Sequence, residues 1–454
     1  MNHASPLREV ILSAAAGAVA FGLAGFNLWL AASLGLFGWS LIRTFAVSDQ
    51  HFPMVPLTVL LASTQWAVMP AIAYGIDFWH FKARMYCSEE EYMPIACGGL
   101  IAYSIGLAAG CSRRHLRTTG QAMDALARFM RSKPRTPWAL AAIAAASILI
   151  RPSVPGALAF PVLLLGQARY AAVLILILQK KRSALPGLMA LMAFEAWSAT
   201  RGAMFHDLIL WGAILTVAYL HCFKIRVRSR LLVLGAGVVL VAGLQVVKSD
   251  YREGKWDGGT RTEGLESVAS GRVNQLNSVN GWLRELEAQL PRFNQGWIIS
   301  AAIAYTPRYS PYLEGESIAD AVVASAAPRA FMATKVKAGS TKLITKTTGL
   351  EIARGASMGL SPVGESYVNF GPLWGSAFML LVGFLYASAF RAMTSLAVRW
   401  PVLLAFIPAA LQYSMRAEGE FAGGFNHLAK ALLLYSVLAF LISRVDWRPE
   451  RLRI

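Results

Sequence analysis

Residues 359–387 read GLSPVGESYVNFGPLWGSAFMLLVGFLYA, and they change from a polar segment to a long apolar one. The run that follows Gly371 carries no charged residue and extends to about residue 390, which is the length that a helix needs to cross a bilayer. Such a segment must be helical, because a backbone in lipid has to satisfy its own hydrogen bonds. We therefore predict a membrane helix over 371–390, with Glu365, Tyr367 and Asn369 immediately before its entry point.

The rest of the chain repeats this pattern. Of its 454 residues, 56% are hydrophobic and only 15% are charged, and the mean hydropathy is +0.47. These values predict an all-α, polytopic integral membrane protein. Residues 10–43 form either one long helix or two short ones that turn at Gly25-Phe26-Asn27. About twelve spans are predicted, near 10–26, 27–43, 54–76, 93–110, 138–150, 156–178, 184–200, 207–223, 231–247, 371–390, 400–415 and 428–444.

Basic clusters fall on alternate connections between these spans, for example QKKRS at 179–183 and KIRVRSR at 224–230. By the positive-inside rule, these connections and both termini are expected to be cytoplasmic. The net charge of +18 is then a signal of topology. Because the basic residues are scattered over short membrane connections, no nucleic-acid partner is expected.

The spans divide the chain into three parts. Residues 1–247 are predicted to form a transmembrane bundle of about nine spans, 248–370 a large and mostly helical loop on the non-cytoplasmic side, and 371–454 a bundle of about three spans. Inside the loop, helical patterns cover 271–293 and 317–331, and the apolar run 297–305 is too short to cross a membrane and could dip into its interface. No cytoplasmic segment is large enough for a nucleotide-binding domain, and phosphate-loop and zinc-protease motifs are missing. The four cysteines show no metal-ligand spacing, so neither a metal nor a cofactor is expected.

Arginines recur at the non-cytoplasmic ends of the predicted spans. A guanidinium is permanently charged and offers a planar fork of donors, which suits a phosphate or pyrophosphate. Each side chain could instead extend separately to a lipid head group. The set comprises Arg151, Arg201, Arg252, Arg329 and Arg416, with Lys335 six residues after Arg329.

Two opposite charges are predicted inside the membrane. Arg169 and Glu195 lie on neighbouring antiparallel spans at similar depth, and an unpaired charge there would cost at least about 2.5–3.5 kcal/mol. We expect the two side chains to pair, either to lock the bundle or to face a substrate.

Glu365, Tyr367 and Asn369 alternate in sequence, so an extended chain would turn all three to one side. A carboxylate, a phenol and an amide that face one place suit sugar hydroxyls, and the carboxylate could take a proton from one of them. Alternatively, these polar residues cap the N-terminus of the helix that follows. His206 and His427 also lie near this boundary, either as a different base or simply as interfacial side chains.

Together these features resemble the bacterial oligosaccharide repeat-unit polymerases, the O-antigen polymerase (Wzy-type) family. Its members are similar in having ten to fourteen spans, a large periplasmic loop in the second half, and a Pro-Arg…Lys segment followed by a Thr-Gly and a Gly-Glu-x-Tyr-x-Asn-Phe-Gly motif that enters a helix. The resemblance is best over 195–390, where TRGAMFHDLI also resembles the Arg-Gly that precedes a span in that family. The matching residues are Pro328-Arg329 with Lys335, Thr348-Gly349, and Gly364-Glu365-Ser366-Tyr367-Val368-Asn369-Phe370-Gly371.

This resemblance implies a GT-C-like enzyme in the bacterial inner membrane. It would join undecaprenyl-pyrophosphate-linked oligosaccharide units on the periplasmic face, without nucleotide or metal, and would work beside a flippase and a chain-length regulator. Catalysis would rest on Glu365 as base and Arg329, and the remaining assigned residues would bind substrate. These are Arg201, Arg252, Lys335 and Arg416 for the pyrophosphate, and Tyr367 and Asn369 for the sugar.

Two other functions remain open from the sequence. An O-antigen-ligase-like transferase shares the architecture but moves a finished glycan to another acceptor. A transporter or flippase for the lipid-linked sugar would need no base, but such proteins often show internal repeats, and none is evident here.

Overall fold

The structure is a computed structural model that describes residues 5–46, 53–76, 84–111, 113–202, 206–237, 239–240, 290–326, 341–352 and 358–444. Within these ranges every regular element is helical. The helices are α1 Pro6–Gly22, α2 Leu28–Phe45, α3 Met54–Ser63, α4 Met69–Gly75, α5 Glu89–Gly110, α6 Arg113–Ser132, α7 Thr136–Ile150, α8 Gly156–Gly166, α9 Ala168–Leu178, α10 Ala184–Gly202, α11 His206–Cys222, α12 at 227–237, α13 Gly296–Tyr305, α14 Glu316–Ala326, α15 Thr341–Thr348, α16 Ser361–Ala397, α17 Leu403–Leu411 and α18 Phe421–Arg444.

Six helical segments among the described residues are long and apolar enough to cross a membrane, and this confirms the prediction of a helical membrane protein. The segment Met54–Gly75 joins α3 and α4 through one turn of π-helix, Thr64–Val68, and Leu158–Leu178 runs through α8 and α9. The other four are Leu28–Phe45, Glu89–Gly110, Ser361–Ala397 and Phe421–Arg444. Other predicted spans form shorter apolar helices, such as α11, and the predicted span 231–247 lies partly outside the described residues.

The chain turns where the sequence left two possibilities open. Residues 10–43 form two helices, α1 and α2, which are separated by a turn at Gly25. Gly25 has a φ of +89°, a conformation that a residue with a Cβ adopts only with strain. Asn27 then accepts a hydrogen bond from the Trp29 N–H through its side chain and so caps the start of α2.

Helices α5 and α16 form the central seam of the bundle. Gly106 of α5 lies so close to α16 that an added Cβ would be 2.1 Å from the carbonyl oxygen of Leu380. Gly383 of α16 lies equally close to α5, since a Cβ added to it would be 2.2 Å from the backbone oxygen of Tyr103. Small residues let two backbones pack directly, which is the main source of helix association in lipid. Large side chains on the outer side of α16, such as Leu373 and Trp374, remain exposed and are suited to face lipid.

The predicted ion pair is confirmed. Arg169 Nε donates to Glu195 Oε1 at 2.6 Å, and Nη2 donates to the Tyr170 hydroxyl at 2.7 Å. The same guanidinium donates to the backbone oxygen of Gly166. Gly166 is the last residue of α8, so Arg169 also satisfies a carbonyl that the break between α8 and α9 leaves free. The pair joins α9 to α10 and stabilises an interrupted helix.

One of the two helices predicted in the large loop lies within the described residues, and it is confirmed there. The pattern that begins at residue 317 forms α14, and the apolar run at 297–305 forms a helix, α13, which is largely buried. The predicted helix over 271–293 lies almost entirely outside the described residues. Its described end, Leu290–Phe293, forms a short 3-10 turn.

Candidate functional site

A cavity of about 300 Å³ lies at the end of the bundle where α16 and α18 begin. Four separate segments line it: α14, α15, the first turns of α16, and the start of α18 with the residue before it. Its polar lining consists of four carboxylates, two ammonium groups, a hydroxyl and an amide, so the lining is net acidic. These side chains are Glu316, Asp320, Glu365 and Glu420, then Lys342 and Lys346, then Ser317 and Asn426.

Glu365 is the fully buried member of this lining, with 0% of its surface exposed. One carboxylate oxygen, Oε1, accepts a hydrogen bond of 3.0 Å from the Ser317 hydroxyl. The other, Oε2, accepts one of 2.6 Å from the backbone N–H of Phe421. Among the described residues no Lys or Arg lies within ion-pair distance of Glu365. Its charge is therefore balanced only by hydrogen bonds and by the N-terminus of α18.

Asn369 lies one helical turn after Glu365, on the same face of α16. Its Nδ2 donates to the Ser317 hydroxyl at 2.8 Å and to the backbone oxygen of Glu365 at 2.7 Å. Asn369 is 1% exposed, and its Oδ1 has no hydrogen-bond partner among the described residues. The Ser317 hydroxyl thus connects the Glu365 carboxylate to the Asn369 amide.

The expectation of an extended segment here is wrong. Residues 361–370 are helical, and the break comes at Gly371, with φ +74° and ψ −173°, directly before Pro372. In a helix, residues two apart point about 200° away from each other, so Glu365 and Tyr367 cannot face one side. The alternative, in which these residues cap the helix that follows them, is also wrong, since they lie within α16 and Glu365 caps α18.

Tyr367 instead holds the segment between α13 and α14. Its hydroxyl donates to the Thr306 backbone oxygen at 2.8 Å, and its ring packs edge-on against Tyr312. The sugar-binding role that the sequence suggested for Tyr367 is therefore not supported by this geometry, in which the hydroxyl is directed away from the cavity lining.

The break in α16 explains how the cavity is assembled. Pro372 has no N–H, so the carbonyl of Val368 lacks its usual partner in the helix. This carbonyl accepts a hydrogen bond of 2.9 Å from the N–H of Leu313. Leu313 lies three residues before the start of α14, so the contact places Ser317 over Glu365. The Gly371-Pro372 sequence therefore has two effects. It bends α16, and it leaves the Val368 carbonyl free to accept the hydrogen bond that holds the segment before α14.

Arg416 lies on the connection between α17 and α18, which also carries Glu420. Its Nη2 donates to Asp207 Oδ1 at 2.7 Å, and its guanidinium lies 4.1 Å from the centre of the Tyr413 ring. Arg416 is not part of the cavity lining. The structure therefore brings this predicted phosphate ligand to the same end of the bundle, but pairs it with a carboxylate of α11.

The side chains of the four other residues assigned to the reaction lie outside the described part of the structure. Arg252, Arg329 and Lys335 lie outside the described residues, and for Arg201 only the helical backbone at the end of α10 is described. His206 begins α11, again without a described side chain. His427 is 3% exposed, its Nε2 lies 2.9 Å from the Ala409 oxygen, and its ring stacks on Tyr413. That environment fits a structural histidine, which is buried and not interfacial.

Sequence reasoning missed several residues of the cavity. Lys342 and Lys346 are one helical turn apart on α15, and Lys346 pairs with Glu316 at 3.2 Å. A signal was present in TKLITKTT, where two lysines four residues apart precede the Thr-Gly pair. Nothing local identifies the remaining residues, which are Glu316, Ser317, Asp320, Glu420 and Asn426.

Comparisons with known proteins add no identification. No family model matches this chain, and no match was found among curated proteins or among solved structures. The resemblance to repeat-unit polymerases therefore rests on the residues that carry it, and on whether the cavity around Glu365 suits their chemistry.

Proposed function

We propose that the protein is a polymerase that joins undecaprenyl-pyrophosphate-linked oligosaccharide repeat units into a surface polysaccharide. The observation that carries this proposal is the position of Glu365: a buried carboxylate, bonded to Ser317, at the wall of an acidic cavity at one end of a helical membrane bundle. A hydroxyl-rich sugar suits this lining, because carboxylates accept hydrogen bonds from hydroxyl groups and an amide can both donate to them and accept from them.

In the proposed reaction, an acceptor hydroxyl enters the cavity and donates its hydrogen bond to Glu365. Its oxygen attacks the anomeric carbon of the donor glycan, and its proton passes to the Glu365 carboxylate. The bond between the anomeric carbon and the pyrophosphate oxygen breaks, and its electron pair leaves with undecaprenyl pyrophosphate. Asn369 and Ser317 hold the carboxylate in one orientation, which keeps the base in line with the incoming hydroxyl.

The departing pyrophosphate requires positive charge, which the acidic cavity does not supply in excess. Arg329 is the proposed catalytic cation, and Arg201, Arg252, Lys335 and Arg416 are proposed to bind the carrier phosphates. Of these, Arg416 is already at the correct end of the bundle, where Asp207 holds its guanidinium. A pyrophosphate would compete with Asp207 for it, since the Asp207 side chain is 61% exposed and is free to turn into water, whereas the Arg416 side chain is only 15% exposed and stays in place.

The proposal places the protein in the bacterial inner membrane with about twelve crossings, both termini in the cytoplasm and the cavity in the periplasm. Charge supports this orientation. Helices α16 and α18 both begin beside the acidic cavity and run toward ends that carry exposed arginines, Arg399 and Arg444. By the positive-inside rule the arginine end is cytoplasmic.

Deletion of the gene tests the proposal. If the protein is a polymerase, the deletion strain should accumulate lipid carrier that bears a single repeat unit and should contain no long chains. Wild-type protein supplied to that strain should restore long chains, and E365Q should not. E351Q is the matched control, because Glu351 is an exposed carboxylate outside the cavity. Long chains that stay on the carrier but never reach the surface acceptor would mean a ligase. Single units trapped on the cytoplasmic leaflet would mean a flippase, and either result would reject the polymerase.

A further inference from the structure

We infer that α6 lies in the plane of the membrane surface and binds the head groups of anionic phospholipids through its exposed arginines. This inference is independent of the polymerase proposal, since α6 is at the end of the bundle remote from Glu365. It starts from composition: residues 113–135 contain six Arg and one Lys but a single acid, Asp124. This stretch is too polar to cross a bilayer.

The contacts at its two ends show how α6 lies. It begins three residues after Gly110, which packs directly against Ala387 in the second half of α16. Just beyond its last residue, the Lys133 ammonium donates to the backbone oxygens of Ile442 and Ser443 in the last turn of α18. Both ends of α6 are therefore at the same end of the bundle. A helix of 20 residues is about 30 Å long, so α6 must run across that end.

Its two faces differ sharply. Ala122, Ala125, Leu126 and Met130 are buried, and the helix packs against α16 and α17. The opposite face carries exposed polar residues at spacings of three or four, which is one continuous stripe of a helix. This stripe, called the arginine face below, consists of Arg117, Gln121, Asp124, Arg128, Arg131 and Arg135.

The arginine face is available to a ligand of negative charge. None of its four guanidinium groups makes an ion pair with another described residue. Trp138, three residues after Arg135, is 70% exposed at the start of α7, and exposed Trp side chains favour the level of the lipid head groups. A basic stripe beside such a Trp matches the charge and the depth of an anionic phospholipid head group.

The test uses purified full-length protein in nanodiscs and in detergent. Binding is measured as retention of dioleoylphosphatidylglycerol against dioleoylphosphatidylcholine by native mass spectrometry. Wild type should prefer phosphatidylglycerol, and R117Q/R128Q/R131Q/R135Q should bind it at least about tenfold more weakly. The matched control K181Q/R182Q/R226Q/R228Q removes the same charge from exposed positions outside α6 and should keep the preference.

Two further measurements keep the test decisive. The melting temperature in phosphatidylcholine shows whether the glutamine variant is folded, and R117K/R128K/R131K/R135K, which keeps the charge, should retain the preference. Equal retention by wild type and the folded glutamine variant would overturn the inference, as would an equal loss in the control. If the arginine face binds an acidic protein and not lipid, the wild-type protein should show no preference between the two lipids. That result would also overturn the inference.

Discussion

Glu365 and Phe421 are joined by a hydrogen bond of 2.6 Å, in which the backbone N–H at the start of α18 donates to the carboxylate of α16. The first N–H groups of a helix have no partner within it, and a carboxylate there satisfies one of them and interacts favourably with the helix dipole. The same carboxylate lines the cavity. Its structural role and its proposed chemical role can be separated only by substitutions that remove one without the other.

Glu365→Gln should abolish chain growth with little loss of stability. Glutamine keeps an oxygen for the Phe421 N–H, but it cannot accept a proton from a sugar hydroxyl, so the base is lost. Glu365→Ala should also be inactive and should in addition lower the free energy of unfolding by about 1–3 kcal/mol, because it leaves a buried N–H without a partner. Glycan length and the melting temperature of the purified variants give the two readouts.

Long chains made by a folded E365Q protein would contradict the base role. Equal destabilisation by the glutamine and the alanine variants would show that the carboxylate charge itself, and not the hydrogen bond, holds α18.

Ser317→Ala should slow chain growth without preventing folding. The hydroxyl donates to Glu365 and accepts from Asn369, so its removal frees the carboxylate to turn. A hydrogen bond to a charged group contributes about 1.5–3 kcal/mol, which corresponds to a rate loss of about 10–150-fold if it acts on the transition state. Rates of chain growth on extracted lipid-linked units provide the measurement.

Ser317→Thr restores the hydroxyl and should recover most of that rate. Ser325→Ala is the matched control on α14, because its hydroxyl bonds only to the Val322 backbone oxygen and is outside the cavity. A positioning role for Ser317 would be rejected if the threonine variant were as slow as the alanine variant.

Removal of one member of the Arg169–Glu195 pair should destabilise the protein more than removal of both. Arg169→Met or Glu195→Leu alone leaves a buried charge without its partner, at a cost of about 3–5 kcal/mol. The double variant R169M/E195L removes that penalty, although the Gly166 carbonyl still loses its donor. A double-mutant cycle of unfolding free energies in mixed micelles measures the coupling, and additive effects would show that the pair contributes no net interaction.

Gly106→Ala should destabilise the α5–α16 seam. The added Cβ would lie 2.1 Å from the Leu380 oxygen, so the two backbones must separate and lose packing along the helices, which typically costs about 1–3 kcal/mol. Gly38→Ala is the control within another span, because no atom lies within 4 Å of a Cβ added at Gly38. Melting temperatures in one detergent compare the two, and similar values would contradict the close approach.

The sequence was sufficient for features that depend on local physics. The apolar run after Gly371 predicted the core of α16, and the cost of a charge in lipid was enough to predict that Arg169 would find Glu195. The turn at Gly25 remained open, because a helix tolerates an isolated glycine at a cost of only about 1 kcal/mol. Its positive φ became evident only in three dimensions.

The site needed long-range information. The alternation of Glu365, Tyr367 and Asn369 fits an extended chain as well as a helix, and the helix is favoured by burial of residues 361–369 in the bundle. The hydrogen bond from Leu313 to Val368 joins residues 55 positions apart, and no local pattern predicts it. Ser317, Lys342 and Glu420 meet Glu365 only because that contact and the connection to α18 bring four segments together.

The most direct measurement of the central claim is a reaction in a purified system. Lipid-linked single repeat units are extracted from the deletion strain and incubated with the purified protein, and glycan length and released undecaprenyl pyrophosphate are measured together. The proposed function predicts chains of several units, one carrier pyrophosphate released for each new bond, and neither product with E365Q. Single units that persist with the wild-type protein, while E351Q and wild type remain folded, would contradict it.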